Sequence, residues 1–356
     1  MLKNIEHVYE LSAEYKISSE DILMIALNAC GVKTSFGFSR LRIRLRMINR
    51  PDDEFRLIIA PGRNFSPFEI VDDILKLNGV SIATIREYEI DNAVIGYFRR
   101  NGTVITLNSN SRSHCTGCAF CPNTLEGASD PKVIKVEELI SSLKILANSQ
   151  NKHSLKHIKE VNLSTGCFLN EDRAIEHLLI VKEALIAMEC EAQIGLLSSV
   201  IRSNEALYRI KKEIGDFHLI LTIECFTNRE FILKESKSSL TPNKMPAIFK
   251  YAKEIGIDTD FTYIIGLDDI EVACENFRQI APFLTRFPNL QVYQPHNPLM
   301  DYYAVKEAKE ITYYLNARKK IESIFITSKL RPLSWENYRP LWYFEFANEP
   351  LISIRS

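Results

Sequence analysis

From position 103 to about 293 the sequence alternates, six times over, between short runs that read as strands and longer amphipathic runs that read as helices. No other feature restricts the fold as much. Strands are predicted at 103–107, 158–163, 191–197, 217–223, 260–265 and 290–293. Between them lie a helix with Leu139, Ile140, Leu143 and Leu146 on one face, and one through Ile175, Leu178, Leu179 and Leu185. Three more follow: one capped by Ser203 and closed by Gly215, one from about Pro246 to Gly256, and one around 270–286. Strands that alternate with helices pair in parallel, because each parallel pairing needs a crossover. Right-handed crossovers can curl such a sheet into a barrel or leave it doubly wound. In both, functional loops gather at the carboxyl ends of the strands.

The loop after the first of these strands reads His114-Cys115-Thr116-Gly117-Cys118-Ala119-Phe120-Cys121-Pro122. Two-residue spacers let three thiolates converge on one metal centre, and Gly117 admits dihedrals that a larger residue resists. A bacterial ferredoxin loop would carry a fourth cysteine at the position held by Leu125. Three thiolates on a four-iron cluster leave one iron open to another ligand. A zinc site completed by His114 or a distant cysteine is the competing reading, although structural zinc takes four closed ligands. A chance grouping is the third, and free cysteines are more often scattered in apolar cores.

Other strand-end loops carry Ser164-Thr165-Gly166-Cys167, Ser198-Ser199, Glu224-Cys225 and Gly266. Their shared placement argues for an active site more strongly than any one motif. A carboxylate such as Glu224 at an enclosed strand end needs a partner. It reads either as a cofactor or substrate contact or as half of a structural ion pair. Arg229, Lys234 and Lys237 are candidate cations. Cys167 and Cys225 could donate hydrogen to a substrate radical or pack as small hydrophobes; Cys30, Cys190 and Cys274 read as structural. Tyr293-Gln294-Pro295-His296-Asn297 closes the sixth strand, with His296 or Asn297 in reach of substrate or stabilising a turn.

The first hundred residues read as a small α+β unit. A helical segment within 1–35 is capped by Ser18 or Ser19 and closed by Gly31. A strand follows with Arg40, Arg42, Arg44 and Arg46 on one face and Leu41, Ile43, Leu45 and Met47 on the other. The arginine face is either solvated, partly neutralised by Asp52, Asp53 and Glu54, or anion-binding. Phe55–Ile59 is a further strand. Ser66-Pro67-Phe68-Glu69 predicts a helix start, with Gly79 its end. Strands near 80–90 and 93–99 lead through Asn101-Gly102 into 103–107. The tail reads as a long helix capped by Asp301, then an aromatic run with Trp335, Tyr338, Trp342, Tyr343, Phe344 and Phe346 that packs inward or meets a partner. The expected domains are 1–100, 101–300 and 301–356.

Composition excludes several classes. A net charge of −1 over 356 residues disfavours nucleic acid as a substrate. Eight cysteines are too few for a disulfide scaffold. No signal-peptide pattern opens the chain, and no apolar run approaches the roughly 20 residues that span a bilayer. A reducing cytoplasm suits an exposed trio of thiols.

On these residues the chain resembles the radical S-adenosylmethionine superfamily, and within it the biotin-synthase-like branch, over roughly 103–300. The resemblance implies an α/β fold built on a partial (β/α)6 barrel of TIM type, with the α+β unit before it and a helical, aromatic-rich extension after it. It implies Cys115, Cys118 and Cys121 as ligands of a 4Fe-4S cluster and S-adenosylmethionine as second cofactor. Phe120 takes the family's aromatic place before the third cysteine. Ser164-Thr165-Gly166 stands where the family presents a double glycine to the cofactor amine. Tyr263-Ile264-Ile265-Gly266-Leu267, with Glu271 after it, matches the fifth-strand turn; fourth-strand contacts fall near Glu224, and Ser199 lies at the third. The spacing between Cys115 and Cys118 is one residue shorter than usual. The implied activity is reductive cleavage of the cofactor to a 5′-deoxyadenosyl radical that takes hydrogen from a small-molecule or amino-acid-derived substrate, with flavodoxin or ferredoxin as reductant. Action on a peptide, aminocarboxypropyl transfer, and a non-enzymatic metal-binding or cluster-sensing role are the alternatives.

Overall fold

The structure, a computed structural model, describes residues 1–34, 41–61, 63–90, 96–100, 102–110, 117–121, 135–149, 151–152, 154–333 and 339–351. His114, Cys115, Leu125, Arg40, Asn101, Trp335 and Tyr338 lie outside them.

Helix α1 (Ile5–Tyr15) starts at Asn4, whose side chain accepts the His7 N–H. Helix α2 (Ser19–Cys30) starts at Ser18, which accepts the Asp21 N–H, and ends at Gly31 as expected. Strand β1 (Leu41–Met47) alternates buried and half-buried residues and pairs antiparallel with β2 (Arg50–Ile59). Two of the arginines are paired: Arg44 reaches Glu54 at 3.4 Å and Glu87 at 3.0 Å, and Arg46 reaches Glu54 at 3.3 Å.

Residues 66–79, expected as a helix, form a β-hairpin of β3 (Phe68–Val71) and β4 (Ile74–Leu77). The Ser66 hydroxyl accepts the N–H of Phe68, two residues on, and donates to the Gly31 carbonyl, so it caps no helix. Asp72 and Asp73 both take positive φ (51° and 60°), which suits the turn twist that right-handed strands require. Phe68, Leu75 and Leu77 are buried in the resulting sheet. With β5 (Val80–Ile90) its order is β2-β1-β5-β4-β3.

The second sheet opens with an antiparallel hairpin, β6 (Gly96–Arg99) and β7 (Val104–Leu107). Strand–helix units follow: α3 (Val136–Ser149), β8 (Glu160–Leu163), α4 (Glu171–Ala187), β9 (Gln193–Ser198), α5 (Asn204–Glu213) and β10 (Phe217–Glu224). Two single-turn helices that the sequence reading omitted, α6 (Arg229–Ile232) and α7 (Glu235–Ser238), come before α8 (Met245–Glu254) and β11 (Asp258–Ile265). Helix α9 (Ile270–Ile280) is shorter than expected and passes into a 3₁₀ turn at Ala281–Phe283, where Pro282 has no N–H to continue it. Strand β12 (Asn289–Val292) ends the series.

The sheet order is β12-β11-β10-β9-β8-β7-β6. Each strand from β7 onward is laid beside its predecessor with no reversal, so there is no topological switch point of the doubly wound kind. Right-handed crossovers in this order put every helix on one face. That is the single winding of a barrel-type sheet.

Asp301 caps no long helix. It lies in a 3₁₀ turn (Met300–Tyr303) with its carboxylate 3.2 Å from Arg63, and α10 (Ile311–Phe325) begins only after Glu310. Trp342, Tyr343, Phe344 and Phe346 are buried, with Phe287 edge-on to Trp342 and Phe346 and Phe55 against Tyr343 and Phe344. The fully buried Asp21–Arg318–Glu322 set is held by ion pairs of 2.9 Å and by the indole N–H of Trp342.

The chain divides into two compact units. One comprises Met1–Asn92, Tyr263–Arg278 and Phe287–Ser356; the other comprises Ala93–Thr262 and Gln279–Arg286. No helix among the described residues is long and apolar enough to cross a membrane.

Candidate active site

Strands β7 to β10 have two unlike faces. Residues in register on parallel neighbours point to the same side of a sheet. Thr106 pairs with Asn162, Asn162 with Gly195 and Gly195 with His218, so these share a face with Glu160, Thr222 and Glu224. The other face carries Ile105, Leu107, Val161, Leu163, Leu219, Leu221 and Ile223, all at 0% exposure. A strand covered on both sides should be apolar throughout. Here polar residues recur at alternate positions, interrupted by Val104, Leu197 and Ile220, and Thr106, Asn108, Asn162, Thr222 and Glu224 keep 7–8% exposure. The apolar face takes the helices: Ser109, next after Asn108, reaches His177 of α4 at 2.7 Å. Burial lowers the His177 pKa to about 4, so at neutral pH this link uses a neutral imidazole.

At the amino ends of the strands the polar face is charged and paired. His218 lies 3.5 Å from Glu160 and 3.3 Å from Asp260. Arg286 meets both Glu160 oxygens at 3.0 Å and Asp258 at 3.0 Å, and it also bonds Gln193. Burial disfavours the imidazolium, but Asp260 and Glu160 outweigh it and raise the His218 pKa. Burial likewise works against the Glu160 carboxylate, and His218 and Arg286 reverse that, holding it far below the usual range. The Asn162 amide donates to Glu160 at 2.7 Å. It lies across Gly195, where an added methyl would overlap the Asn162 carbonyl oxygen.

The carboxyl ends differ. Asn108 leaves both side-chain amide atoms without a hydrogen-bond partner, and the Thr222 hydroxyl has none. Glu224, the last residue of β10, has φ of 68°, and the Cys225 N–H donates to the Ile223 carbonyl across it at 2.9 Å. A three-residue turn with positive central φ is the rare, strained form, and strain of this kind collects at functional sites. The Glu224 carboxylate accepts from Lys237 Nζ at 2.6 Å and from the Thr262 hydroxyl at 3.4 Å. Its partner is thus Lys237. Arg229, another candidate cation, is consumed by the carbonyls of Ile223, Cys225 and Lys237, which tie the strand end to α7.

The cysteine segment is anchored to this end. The Ala119 N–H donates to the Ile232 carbonyl at 2.8 Å, and the Cys121 N–H to the Cys118 carbonyl at 3.2 Å, which makes 118–121 a tight turn. Cys118 is buried and its sulfur receives the Lys234 N–H. Burial pushes the thiol pKa up, Lys237 and the Lys234 N–H pull it down, and Glu224 and Cys167 oppose them. Gly117 has φ of 98°, and a side chain there would press on Lys234 Cβ at 3.2 Å. Cys121, Phe120 and Cys167 are half-buried.

The structure therefore brings Cys118, Cys167, Glu224, Lys234 and Lys237 together. It gives other expected site residues different work. The Thr165 hydroxyl donates to the Asn110 carbonyl at 2.7 Å and accepts the Asn110 N–H at 2.8 Å. The Gly166 N–H donates to the same carbonyl, and the Ser164 N–H to that of Leu107. Loop 164–166 is laced to the end of β7 by its own polar groups. Ser199 is buried and its carbonyl accepts from Arg202, while the Ser198 hydroxyl caps Val200 and Ile201. Cys225 is fully buried. Gly266 belongs to the first unit, where Tyr293, Tyr314 and Ala308 crowd the space a side chain would take. Glu271 pairs with Lys320 at 2.6 Å. Asn297 accepts the Met300 N–H, a turn-stabilising role, and His296 is half-buried.

Sequence reasoning passed over Asn108, Thr222 and the Glu160–His218–Asp260–Arg286 set. The signal was polar residues recurring two or four places apart in strands whose parallel pairing predicts apolar runs: Glu160 and Asn162; His218, Thr222 and Glu224; Asp258, Asp260 and Thr262.

No family model matches the chain, and no curated sequence does. Solved structures similar to it include Streptococcus suis SuiB bound to precursor peptide SuiA (TM-score 0.44, 13% identity, covering 64% of this chain and 47% of that one). Another is the cobalamin-dependent S-adenosylmethionine radical enzyme OxsB in its apo form (0.33, 17%, 68% and 37%). A third is a radical SAM methyltransferase from Sphaerobacter thermophilus (0.39, 12%, 92% and 93%). The chain spans about half the length of SuiB.

Proposed function

We propose that this chain is a radical S-adenosylmethionine enzyme whose reaction chamber is the carboxyl end of the polar face. The observation that carries this reading is the Cys118–Cys121 turn, anchored beside the Glu224–Lys237 pair and with a backbone N–H aimed at the Cys118 sulfur. A backbone donor to a buried sulfur, a turn that needs Gly117 and a neighbouring ammonium suit a thiolate cluster ligand. Cys118 and Cys121, with Cys115 outside the described residues, would hold a 4Fe-4S cluster. When bound, that cluster supplies the electron that breaks S-adenosylmethionine into methionine and a 5′-deoxyadenosyl radical, which takes hydrogen from a small-molecule, amino-acid-derived or peptide substrate.

The remaining work belongs to the chain. Lys234, half-buried beside Cys118, is the cation left to meet the cofactor carboxylate, since Lys237 is paired with Glu224 and Arg229 with carbonyls. Phe120, Ser164, Gly166 and Ser199 border the cofactor, in loops held by their own backbone hydrogen bonds. Thr165 holds their loop in place, and Gly266 shapes the fifth-strand turn. Cys167 or Cys225 donates hydrogen to a substrate radical. Flavodoxin or ferredoxin supplies the electron, in a reducing compartment such as the cytoplasm.

Anaerobic reconstitution tests this. Iron at about four per chain, and methionine with 5′-deoxyadenosine after reduction, are the expected results. Zinc in place of iron, or intact cofactor, would sink the reading; a product of a different carbon–sulfur cleavage would indicate aminocarboxypropyl transfer. A second reading has its own observation, because Cys167 lies within electrostatic reach of Cys118 and could close the cluster as a fourth thiolate. In that cluster-sensing case Cys167→Ala would open the iron and allow S-adenosylmethionine to change the electron paramagnetic resonance spectrum, which the unsubstituted chain would not.

A further inference from the structure

We propose that Asn108 is a specificity residue of the polar face, and that the substrate brings to it a neutral carboxamide or lactam. The inference deepens the enzyme reading and takes from it only that this face is the reaction chamber.

Buried amide groups in folded proteins nearly always find partners, because an unmade bond in a dry site costs the full desolvation of the group. Asn108 is 93% buried by its 7% exposure, yet neither its nitrogen nor its oxygen has a partner. Its neighbours in the sequence, by contrast, are satisfied. Ser109 is satisfied by His177, and Asn110 by Thr165 and Gly166. Thr106, two residues back, lies in register with Asn162, whose carbonyl oxygen is also unpartnered, and beyond Asn108 toward the carboxyl ends comes the unpartnered Thr222 hydroxyl. At the amino end the His218 nitrogens and Asp260 Oδ1 also lack hydrogen bonds but face opposite charges as ion pairs; Asn162, Asn108 and Thr222 are the neutral unpartnered groups that follow along the face, toward the end that holds Cys118 and Glu224.

Charge narrows the chemistry. Apart from Lys234, assigned above to the cofactor carboxylate, the described cations on this face are each engaged by a carboxylate: Arg286 by Glu160 and Asp258, His218 by Glu160 and Asp260, and Lys237 by Glu224. An anionic substrate group would find no counterion at Asn108. A hydrocarbon would leave the amide as unpaired as before. A group with N–H and C=O side by side answers both atoms of Asn108 in one cyclic pair of hydrogen bonds. A primary carboxamide or a lactam has that geometry; an extended trans peptide bond, whose N–H and C=O point apart, does not.

The test needs no cluster and uses the full chain as purified. Isobutyramide and isobutyrate, matched in shape, are titrated while the Asn108 side-chain NH₂ signal is followed by nitrogen-15 NMR, with Asn108→Leu identifying that signal. Isobutyramide should shift it and bind at least about tenfold more tightly than isobutyrate, and Asn108→Leu should lose about as much. Asn108→Leu should also keep or raise the melting temperature, because it removes two unmet polar atoms, and Thr222→Val should behave likewise. Equal binding of the acid, no binding of the amide, an unaltered affinity in Asn108→Leu, or a fall in its melting temperature would each overturn the proposal. So would a shift of the Asn108 signal by S-adenosylhomocysteine alone, which would assign the residue to the nucleoside. Because every measurement is made on apo protein, failure here leaves the cluster reading standing, and failure of the cluster leaves these results interpretable.

Discussion

The two ends of one polar face make opposite use of polar residues. At the amino ends, Glu160, His218, Asp260, Asp258 and Arg286 form a mutually paired set. At the carboxyl ends, Asn108 and Thr222 are unpartnered, Glu224 sits at positive φ, and the cysteine turn is docked alongside. Both ends lie on the same strands, a few residues apart. The difference teaches that polarity alone does not mark a site. Opposite charges that pair with each other close one end, and neutral polar groups with no partner stand at the other.

Substitutions should separate the ends. The largest effect belongs to His218→Leu, which strands the buried Asp260 without its cation and leaves Glu160 to Arg286. A loss of about 3–5 kcal/mol in urea unfolding is expected; a loss under about 1 kcal/mol would mean the set is not a structural plug. Next comes the pH profile. The His177 pKa, lowered to about 4 in the fold, lies below its unfolded value near 6.5. The unfolded chain therefore binds the proton first, and stability should fall as pH drops from about 6.5 to 4, by up to roughly 3 kcal/mol. His177→Asn should flatten that part of the curve. His218 acts in the opposite sense: its raised value adds stability below about 6.5 that is lost as pH rises through the folded value. His218→Leu should thus remove a fall in stability above about pH 6.5 and leave in place the slope between 6.5 and 4 that His177→Asn flattens.

Gly195→Ala should cost about 1–3 kcal/mol by displacing the Asn162 amide, read by thermal unfolding. Cys118→Ala gives the smallest change in stability, about 1 kcal/mol, since one small buried group is lost. It should nonetheless abolish iron retention after reconstitution. An unaltered iron content in Cys118→Ala would remove the carboxyl end's claim to be the site.

Much of the fold was legible along the chain. The strand–helix alternation placed β7 to β12, Ser18 and Ser203 marked helix starts, and the alternation in Leu41–Met47 marked β1. These are local signals, readable because period and capping are properties of consecutive residues. The hairpin at 68–77 was not. Ser66 bears a capping signature, but the carbonyl of Gly31, 35 residues away, takes its hydroxyl. Likewise Asp301 has the chemistry of a cap and spends it on Arg63.

For the candidate site, Cys118, Cys121 and Glu224 stood out by spacing and position. That Glu224 belongs to Lys237, that Thr165 serves Asn110, and that Asn108 is left with nothing are facts about partners from distant segments. The amino-acid order by itself determined which residue types sit at which strand ends, because side-chain direction repeats every two residues. Only the tertiary structure decided which of those polar groups were satisfied. A hydrogen bond is made within about 3 Å, and the partners that come that close are chosen by the packing of the whole sheet.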